Sequence, residues 1–361
     1  MVSFEVGRIA VIGAGNAGHA FSGHLSMMGE KVNLFDVDAK RIEQLNAKRT
    51  IKMTGVLEGE YVINKITNDI GCAIEHAELI IVILPTVYHE NVARLAAPYL
   101  KDGQVVILNP GGTGGALEFM SVIRAAGCRA DVTVAETNSM IYACRAPVIG
   151  EVHVFGMKKL VHIAALPAKN IGRVIELTEN IYPQFTPVDN VLYTSLNNTT
   201  AMVHPVPMIL NSARIESGVP FEYYSDGFTK SVADVVESLD AERMAIGDAL
   251  GIKLASIVQW YKYRYGVEGE SLYEAIHQVD EYDGIAAPSN LNVRYLFEDL
   301  PTGLVPMAEF GKLLGVKAPV MNAAIDFGNA LLHRDFRADG RTLKKLGLEG
   351  KKIEEMLSFV S

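Results

Sequence analysis

The segment Ile12-Gly13-Ala14-Gly15-Asn16-Ala17-Gly18 constrains this chain more than any other. It follows a predicted strand at residues 8–12 and leads into a helical pattern that closes near Met28-Gly29. Glycines spaced G-x-G-x-x-G between a strand and a helix let backbone, not side chains, meet a pyrophosphate. Gly13 permits the tight turn, Gly15 lets the backbone approach the phosphates, and Gly18 lets the helix pack closely on the strand. The helix N-terminus then presents free N–H groups and the positive end of its dipole. Asn16 and Ala17, on that first turn, join the glycines as candidate cofactor-binding residues. The next predicted strand, residues 31–35, ends in Asp36, 18 residues after Gly18. A carboxylate there accepts hydrogen bonds from the adenosine ribose and repels a 2′-phosphate, so NAD(H) is expected to be preferred. Lys40 and Arg41 nearby leave NADP(H) open.

The first half continues in the same style. Short β-rich runs at residues 8–12, 31–35, 79–84, 104–108 and 132–135 alternate with helical patterns. Several runs are continuously apolar, as parallel strands covered on both faces require. The alternation predicts βαβ units and an α/β, Rossmann-type doubly wound parallel sheet. Residues 151–166 read as further strands extending or flanking that sheet, and residues 174–181 as a helix. Two turns fall where the rest of a dinucleotide should lie, at strand carboxyl ends. One contains Pro85 and Thr86; the other is the run from Asn109 to Gly115. A plain loop needing positive φ explains the second equally well.

From about residue 190 helical patterns take over, at 192–204, 232–250, 257–265 and 318–332. The expected division is a dinucleotide-binding domain over residues 1–188 and a mostly α-helical domain over 189–361. A length of 361 residues suits two domains, and 49% hydrophobic against 21% charged residues permits a large core. The net charge of −9 and the scattered basic doublets argue against nucleic-acid binding. Three cysteines in a long chain make no disulfide framework, and no apolar run approaches the ~20 residues of a membrane span. With no basic-then-apolar leader in the opening residues, a reduced cytoplasmic setting is expected.

Nine histidines are candidates for acid/base work, and a satisfied structural histidine is the ordinary outcome for each. His19 and His24 lie on the helix behind the glycine loop and read as structural. The HExxH spacing of a zinc site is absent, and no metal is expected. His204 differs in its setting, NNTTAMVHPVP. Leu192, Leu196 and Val203 support an amphipathic helix, which Pro205 and Pro207 should kink or break at the imidazole. A helix-end histidine stabilised by the dipole remains the bland alternative. The run Asn290–Asp299 (NLNVRYLFED) sets a cation and two acids among apolar residues. The planar fork of Arg294 suits a carboxylate, although an i,i+4 ion pair with Glu298 accounts for it too. An Asp beside a His can orient the ring, and Asp299, at i+5, should point away from that pair.

These segments, with the glycine loop and Asp36-Val37-Asp38, resemble the octopine/nopaline (opine) dehydrogenase family over essentially the whole chain, most closely its bacterial members. Further support comes from NPGGTGGALEF at Asn109–Phe119, ARIESG at Ala213–Gly218 and TGLVP at Thr302–Pro306. The resemblance implies an NAD(P)-dependent oxidoreductase acting on CH–NH groups. Its reaction is reductive condensation of a pyruvate-like 2-oxo acid with the amino group of an L-amino acid, through an imine. By the same resemblance His204 is the catalytic histidine, Asp299 its acidic partner and Arg294 the anchor for the 2-oxo acid carboxylate. Asn198 matches a polar position near the active site, and a homodimer is implied. Two other readings keep the dinucleotide: a 2-oxo-acid or 2-hydroxy-acid dehydrogenase that uses no amine, and a dinucleotide-sensing binding protein.

Overall fold

Wholly apolar runs become the middle of a parallel sheet, where both faces are covered and alternation is not needed. The structure, a computed structural model, describes residues 8–361, so the opening segment read for a leader lies outside the described residues. The strands are β1 (Ile9–Ile12), β2 (Val32–Phe35), β3 (Thr50–Gly55), β4 (Gly59–Val62), β5 (Lys65–Thr67) and β6 (Leu79–Val82). They continue with β7 (Val105–Leu108), β8 (Thr133–Thr137), β9 (Tyr142–Arg145), β10 (Glu151–Met157), β11 (Val161–Leu166) and β12 (Phe185–Pro187). Eight of them form one sheet in the order β12-β11-β8-β7-β6-β1-β2-β5. It is parallel except where β11 runs antiparallel to β8. Strand β1 sits centrally, pairing Ile9 with Val32 on one side and with Leu79 on the other.

A second sheet, β4-β3-β10-β9, has four strands. Residues 151–166 therefore divide: β11 extends the main sheet, whereas β10 joins the small one. In the small sheet β3 carries the half-buried alternation of a one-sided sheet, Ile51 and Met53 turned inward between exposed Lys52 and Thr54, whereas β4 is mostly exposed. That period-2 signal is weaker than an unbroken apolar run.

The chain divides into two compact units, one of residues 1–195 with 355–361 and the other of residues 196–354. The first holds both sheets. The second is helical, built on the 20-residue helix Lys230–Ala249. Thr229 caps that helix by accepting from the Val232 N–H. Ser256 and Gln259 form a capping box at the start of Ile257–Tyr265, and Gly266 closes its end in a left-handed conformation. Helix Pro319–Leu332 starts with proline, and the carboxylate of Glu242 accepts from the Val320 and Met321 N–H groups. At the centre of this unit Arg243 is wholly buried. Its guanidinium donates to Asp240 and to the backbone carbonyls of Leu196 and Ala255.

The amphipathic run at 192–204 is not one helix. It breaks into Val191–Leu196 and Thr200–Val203, because Asn197, Asn198 and Thr199 offer the backbone local partners that compete with the helical ladder. Among the described residues no helix is long and apolar enough to cross a membrane. The thiols of Cys72, Cys128 and Cys144 are free.

Candidate active site

In the first unit the glycine loop follows β1 and opens helix Asn16–Met27. Gly13 holds φ +109°, and a Cβ there would lie 2.6 Å from the Ile83 carbonyl oxygen. A Cβ on Gly18 would fall 1.8 Å from the Gly13 oxygen, so the helix could not close on the turn. A Cβ on Gly15 would meet nothing within 4 Å; it would fill the space in front of a helix N-terminus that no side chain caps. Open backbone donors at that point suit a pyrophosphate. Asn16 stands on this turn, but its side-chain oxygen accepts from the Ala146 N–H at 2.9 Å. Its donors, the backbone N–H and the side-chain amide nitrogen, are the groups suited to a phosphate. Ala17 follows it, half-buried.

Asp36 is buried at the end of β2 and ties down its surroundings. Its carboxylate accepts from the Ala14 N–H at 2.7 Å and the Asp38 N–H at 2.9 Å, and Arg41 lies 3.0 Å away. The expected ribose acceptor is thus also the brace of the glycine loop, with a cation already beside it. Pro85 and Thr86 follow β6, Thr86 buried and opening a short 3-10 turn. Asn109 ends β7, wholly buried, and neither atom of its amide has a hydrogen-bond partner among the described residues. Buried polar groups are rarely left so. An amide or hydroxyl ligand of the kind a nicotinamide riboside offers fits that vacancy of partners. Gly112 and Gly114 take positive φ, as a plain loop would, so the loop serves backbone geometry as well.

The loop has an anchor that the sequence reading missed. Glu136, wholly buried in β8, accepts from the Ala116 N–H at 2.7 Å, the Thr194 hydroxyl at 2.7 Å and the Ser195 hydroxyl at 3.0 Å. Ser195 also accepts from the Gly114 N–H at 2.9 Å, and its carbonyl accepts from the Thr113 hydroxyl. A local signal existed: like Asp36 and Asn109, Glu136 is a polar residue at the carboxyl end of a parallel strand.

His19 and His24, read as structural, are both buried, and Nδ1 of His24 lies 2.7 Å from the Tyr142 hydroxyl. His19 donates from Nδ1 to the Gly15 carbonyl at 2.8 Å and accepts at Nε2 from the Gly150 N–H at 3.0 Å. Burial depresses its pKa, the Gly15 bond opposing.

In the second unit His204 sits at the joint between Thr200–Val203 and Pro205–Leu210. The prolines kink the segment without ending it, since the His204 carbonyl still accepts from the Met208 N–H at 3.2 Å. Pro207 has no N–H for the Val203 carbonyl. The Tyr223 hydroxyl takes over that task, 3.3 Å from the Val203 oxygen and 2.9 Å from the His204 oxygen. Burial holds the Tyr223 phenol far above its usual pKa, so it remains a donor.

Asp299 bonds to His204 rather than to Arg294. After helix Arg294–Phe297 the chain widens into a π turn, Leu300–Leu304, and Asp299 at its start swings onto His204. Nδ1 of His204 donates to Oδ2 of Asp299 at 2.7 Å, with side chains only 15% and 12% exposed. The turn approaches closely because Gly303 lacks a Cβ, which would stand 2.7 Å from Ala201 Cβ. The Thr200 hydroxyl stands between Asn198 Oδ1 at 2.7 Å and Asp299 Oδ1 at 3.2 Å. Asn198, His204 and Asp299 therefore form one polar cluster, joined through Thr200, which no local pattern singled out. Arg294 makes the i,i+4 ion pair with Glu298 through Nε, and its side chain remains 61% exposed. Among the described residues no group of acidic, histidine and cysteine side chains could hold a metal ion.

A glycine-loop parallel sheet with an acid at the end of β2, joined in one chain to helices carrying a buried His–Asp pair, defines a nicotinamide-dinucleotide-dependent dehydrogenase. The family model for the NAD/NADP octopine/nopaline dehydrogenase α-helical domain matches residues 187–332. That for the N-terminus of NAD-dependent glycerol-3-phosphate dehydrogenase matches residues 8–132. An opine dehydrogenase of Arthrobacter sp. (strain 1C) is 44% identical over 342 residues, covering 94% of this chain and 95% of the relative. An octopine dehydrogenase structure with NADH and pyruvate superposes with a TM-score of 0.79 at 21% identity, covering 97% of each chain. A yersinopine dehydrogenase structure with NADP+ bound gives a TM-score of 0.75 at 15% identity, covering 98% of this chain and 97% of the other. The chain belongs to the octopine/nopaline (opine) dehydrogenase family. It is an NAD(P)H-dependent oxidoreductase acting on CH–NH groups, which condenses a 2-oxo acid with an amino group and reduces the product.

Proposed function

We propose that His204 handles the proton in this reaction, that Asp299 orients it, and that Arg294 anchors the carboxylate of the 2-oxo acid. Asn198 is the polar neighbour of the reacting atoms. The observation that carries this reading is the 2.7 Å bond from Nδ1 of His204 to Asp299. It fixes one ring nitrogen as a donor to a carboxylate and leaves Nε2 for the substrate. The amine attacks the carbonyl carbon of the 2-oxo acid; Nε2 then gives its proton to the carbinolamine hydroxyl, which leaves as water. Asp299 stabilises the cationic ring before that transfer. Arg294, its Nε on Glu298, offers the exposed Nη edge to the carboxylate as a two-pronged donor.

NADH, when bound, supplies the hydride that reduces the imine carbon. The first unit would hold it: the backbone of Gly13, Gly15, Asn16, Ala17 and Gly18 at the pyrophosphate, Asp36 at the adenosine ribose, and Pro85, Thr86 and Asn109 at the nicotinamide end. A carboxylate at position 36 supports NAD(H) as the preferred form, and Arg41 beside it suits a 2′-phosphate. Pyruvate is the 2-oxo acid we assign, as in the octopine dehydrogenase complex, with an L-amino acid as amine. A cytoplasmic homodimer accompanies this reading by likeness to bacterial members, and sedimentation velocity tests the assembly.

The deciding experiment follows NADH and NADPH oxidation with pyruvate or glyoxylate, with and without a panel of L-amino acids. Oxidation that depends on the amine is expected; amine-independent turnover would favour a simple 2-oxo-acid reductase. Within the same assay Arg294→Ala should raise KM for the 2-oxo acid far more than KM for NADH. The opposite pattern would remove Arg294 from the anchoring role.

A further inference from the structure

His204 is held by more than its carboxylate. Its ring lies face to face on Tyr295, centroids 3.9 Å apart and planes within 11°. Tyr295 in turn packs against Tyr223 at 5.1 Å, and the Tyr223 hydroxyl donates to the His204 carbonyl at 2.9 Å. The three residues close a triangle: imidazole on phenol face, phenol on phenol, phenol hydroxyl on the histidine's own backbone. Tyr295 also shares a hydrogen bond with Tyr224, which stacks on Tyr282 at 3.9 Å. The Tyr282 hydroxyl lies 3.1 Å from those of both Tyr261 and Tyr265. Tyr223 and Tyr261 are wholly buried, so the block beneath the imidazole is packed core.

A hydrogen bond at Nδ1 fixes one edge of an imidazole but leaves the ring free to tilt about that bond. A flat surface against its face removes that freedom. We propose that Tyr295 is a positioning residue for His204: its ring sets the plane of the imidazole and so the direction in which Nε2 faces the reacting oxygen. The proposal rests on His204 being the proton-handling group. It needs the aromatic face of Tyr295, not its hydroxyl.

The test compares Tyr295→Phe, which keeps the face, with Tyr295→Leu, which removes it, alongside His204→Asn. Aromatic pairing of this kind is typically worth ~0.5–1.5 kcal/mol, about 2- to 13-fold, and misdirection of a reacting group adds to it. Tyr295→Leu should therefore lower kcat about 10-fold or more, with KM for the 2-oxo acid and Kd for NADH within about 3-fold of wild type. Tyr295→Phe should stay within about 3-fold in all three. A second readout needs no turnover. In spectra of protein labelled at histidine, the ring signals of His204, identified by their loss in His204→Asn, should carry the ring-current shift of a stacked neighbour. Tyr295→Phe should keep that shift and Tyr295→Leu should abolish it. Should Tyr295→Leu fail to fold, Tyr295→Met, closer in bulk, carries the same expectations.

Unchanged His204 signals or an unchanged kcat in the folded Leu or Met variant would overturn the proposal. So would an equal loss in Tyr295→Phe, which would assign the effect to the hydroxyl. If His204→Asn itself turns over normally, the reading of His204 fails. If it is inactive while Tyr295→Leu is unimpaired, only the positioning role fails.

Discussion

The two units build their polar sites in different ways. In the sheet-bearing unit the groups that matter are backbone N–H groups and carboxylates that organise them. Asp36 braces the glycine loop through the Ala14 N–H, and Glu136 braces the loop after β7 through the Ala116 N–H. In the helical unit the important bonds run between side chains: His204 and Thr200 reach Asp299 from nearly a hundred residues away, and Thr200 to Asn198 and Arg243 to Asp240 close within a turn. A site of backbone donors tolerates many side-chain changes but few changes of local conformation. A site of side-chain pairs depends on a fold that holds two or three helices in register. Variants that strike one kind of support and spare the other put this contrast to the test.

The largest effect should come from the core of the helical unit. Arg243 has no exposure and satisfies Asp240 and two backbone carbonyls, so its removal leaves a buried carboxylate and orphaned acceptors. Breaking a buried pair in this way costs about 3–5 kcal/mol. The sole tryptophan, Trp260, lies in this unit beside Tyr261, so its fluorescence reports the unit's unfolding. The urea midpoint of Arg243→Ala read from Trp260 should fall far below wild type. The double replacement Arg243→Met with Asp240→Leu should recover only the part of the loss due to the unpaired charge, since the Leu196 and Ala255 carbonyls and the Ile257 N–H stay without these partners. A single variant as stable as wild type would mean that water or another donor replaces the guanidinium.

Next comes the chemistry. Positioned acid/base catalysis contributes ~10²–10⁴-fold, so His204→Ala should lower kcat by at least about two orders of magnitude. Binding of NADH, measured by fluorescence titration, should persist, because the residues proposed to hold the dinucleotide lie in the other unit. Near-normal turnover would remove His204 from its role. Loss of NADH binding would show instead that the two sets of supports are not separable.

The same contrast explains what could be read before any fold was known. The cofactor side is written locally: a strand, three glycines at fixed spacing and an acid at the end of the next strand lie within residues 8–36. Strands β3 and β4 were harder, because the alternation of β3 over six residues is a weak signal and β4, mostly exposed, carries almost none. Glu136 was missed because its importance lies in Thr194 and Ser195, some 60 residues on, although its place at a strand end was a clue. On the helical side, Arg294, Asp299 and His204 drew attention as polar groups in apolar surroundings. Helical periodicity alone set Asp299 apart from the Arg294–Glu298 pair but did not bring it to His204. The π turn that redirects it depends on Gly303 packing against Ala201, a contact between segments about a hundred residues apart. Tyr295 and Thr200 gave no local sign at all.

The smallest effect, and the finest probe of the difference, is pH. In the sheet-bearing unit His19, His24 and His162 are all shifted downward, with burial the leading cause in each. For His19 the geometry agrees, since Nε2 accepts from the Gly150 N–H and a proton placed there would set donor against donor. The unfolded chain takes up this proton near pH 6.5, its ordinary value, whereas the folded chain resists until lower pH. Stability from this source is therefore complete above about pH 6.5 and is lost as pH falls through the depressed pKa of the folded state. Each tenfold difference in proton affinity is worth about 1.4 kcal/mol, so the effect of one histidine is modest. The Tm should decline between pH 7.5 and 5.5, and NADH should restore part of it, because the imidazole braces the helix that starts at the glycine loop. His19→Gln retains a carbonyl acceptor for Gly150 but does not titrate, so its decline should be shallower than that of wild type. An identical slope in the two proteins would place the acid sensitivity elsewhere, and backbone order in the glycine loop would then not depend on the charge state of its one imidazole brace.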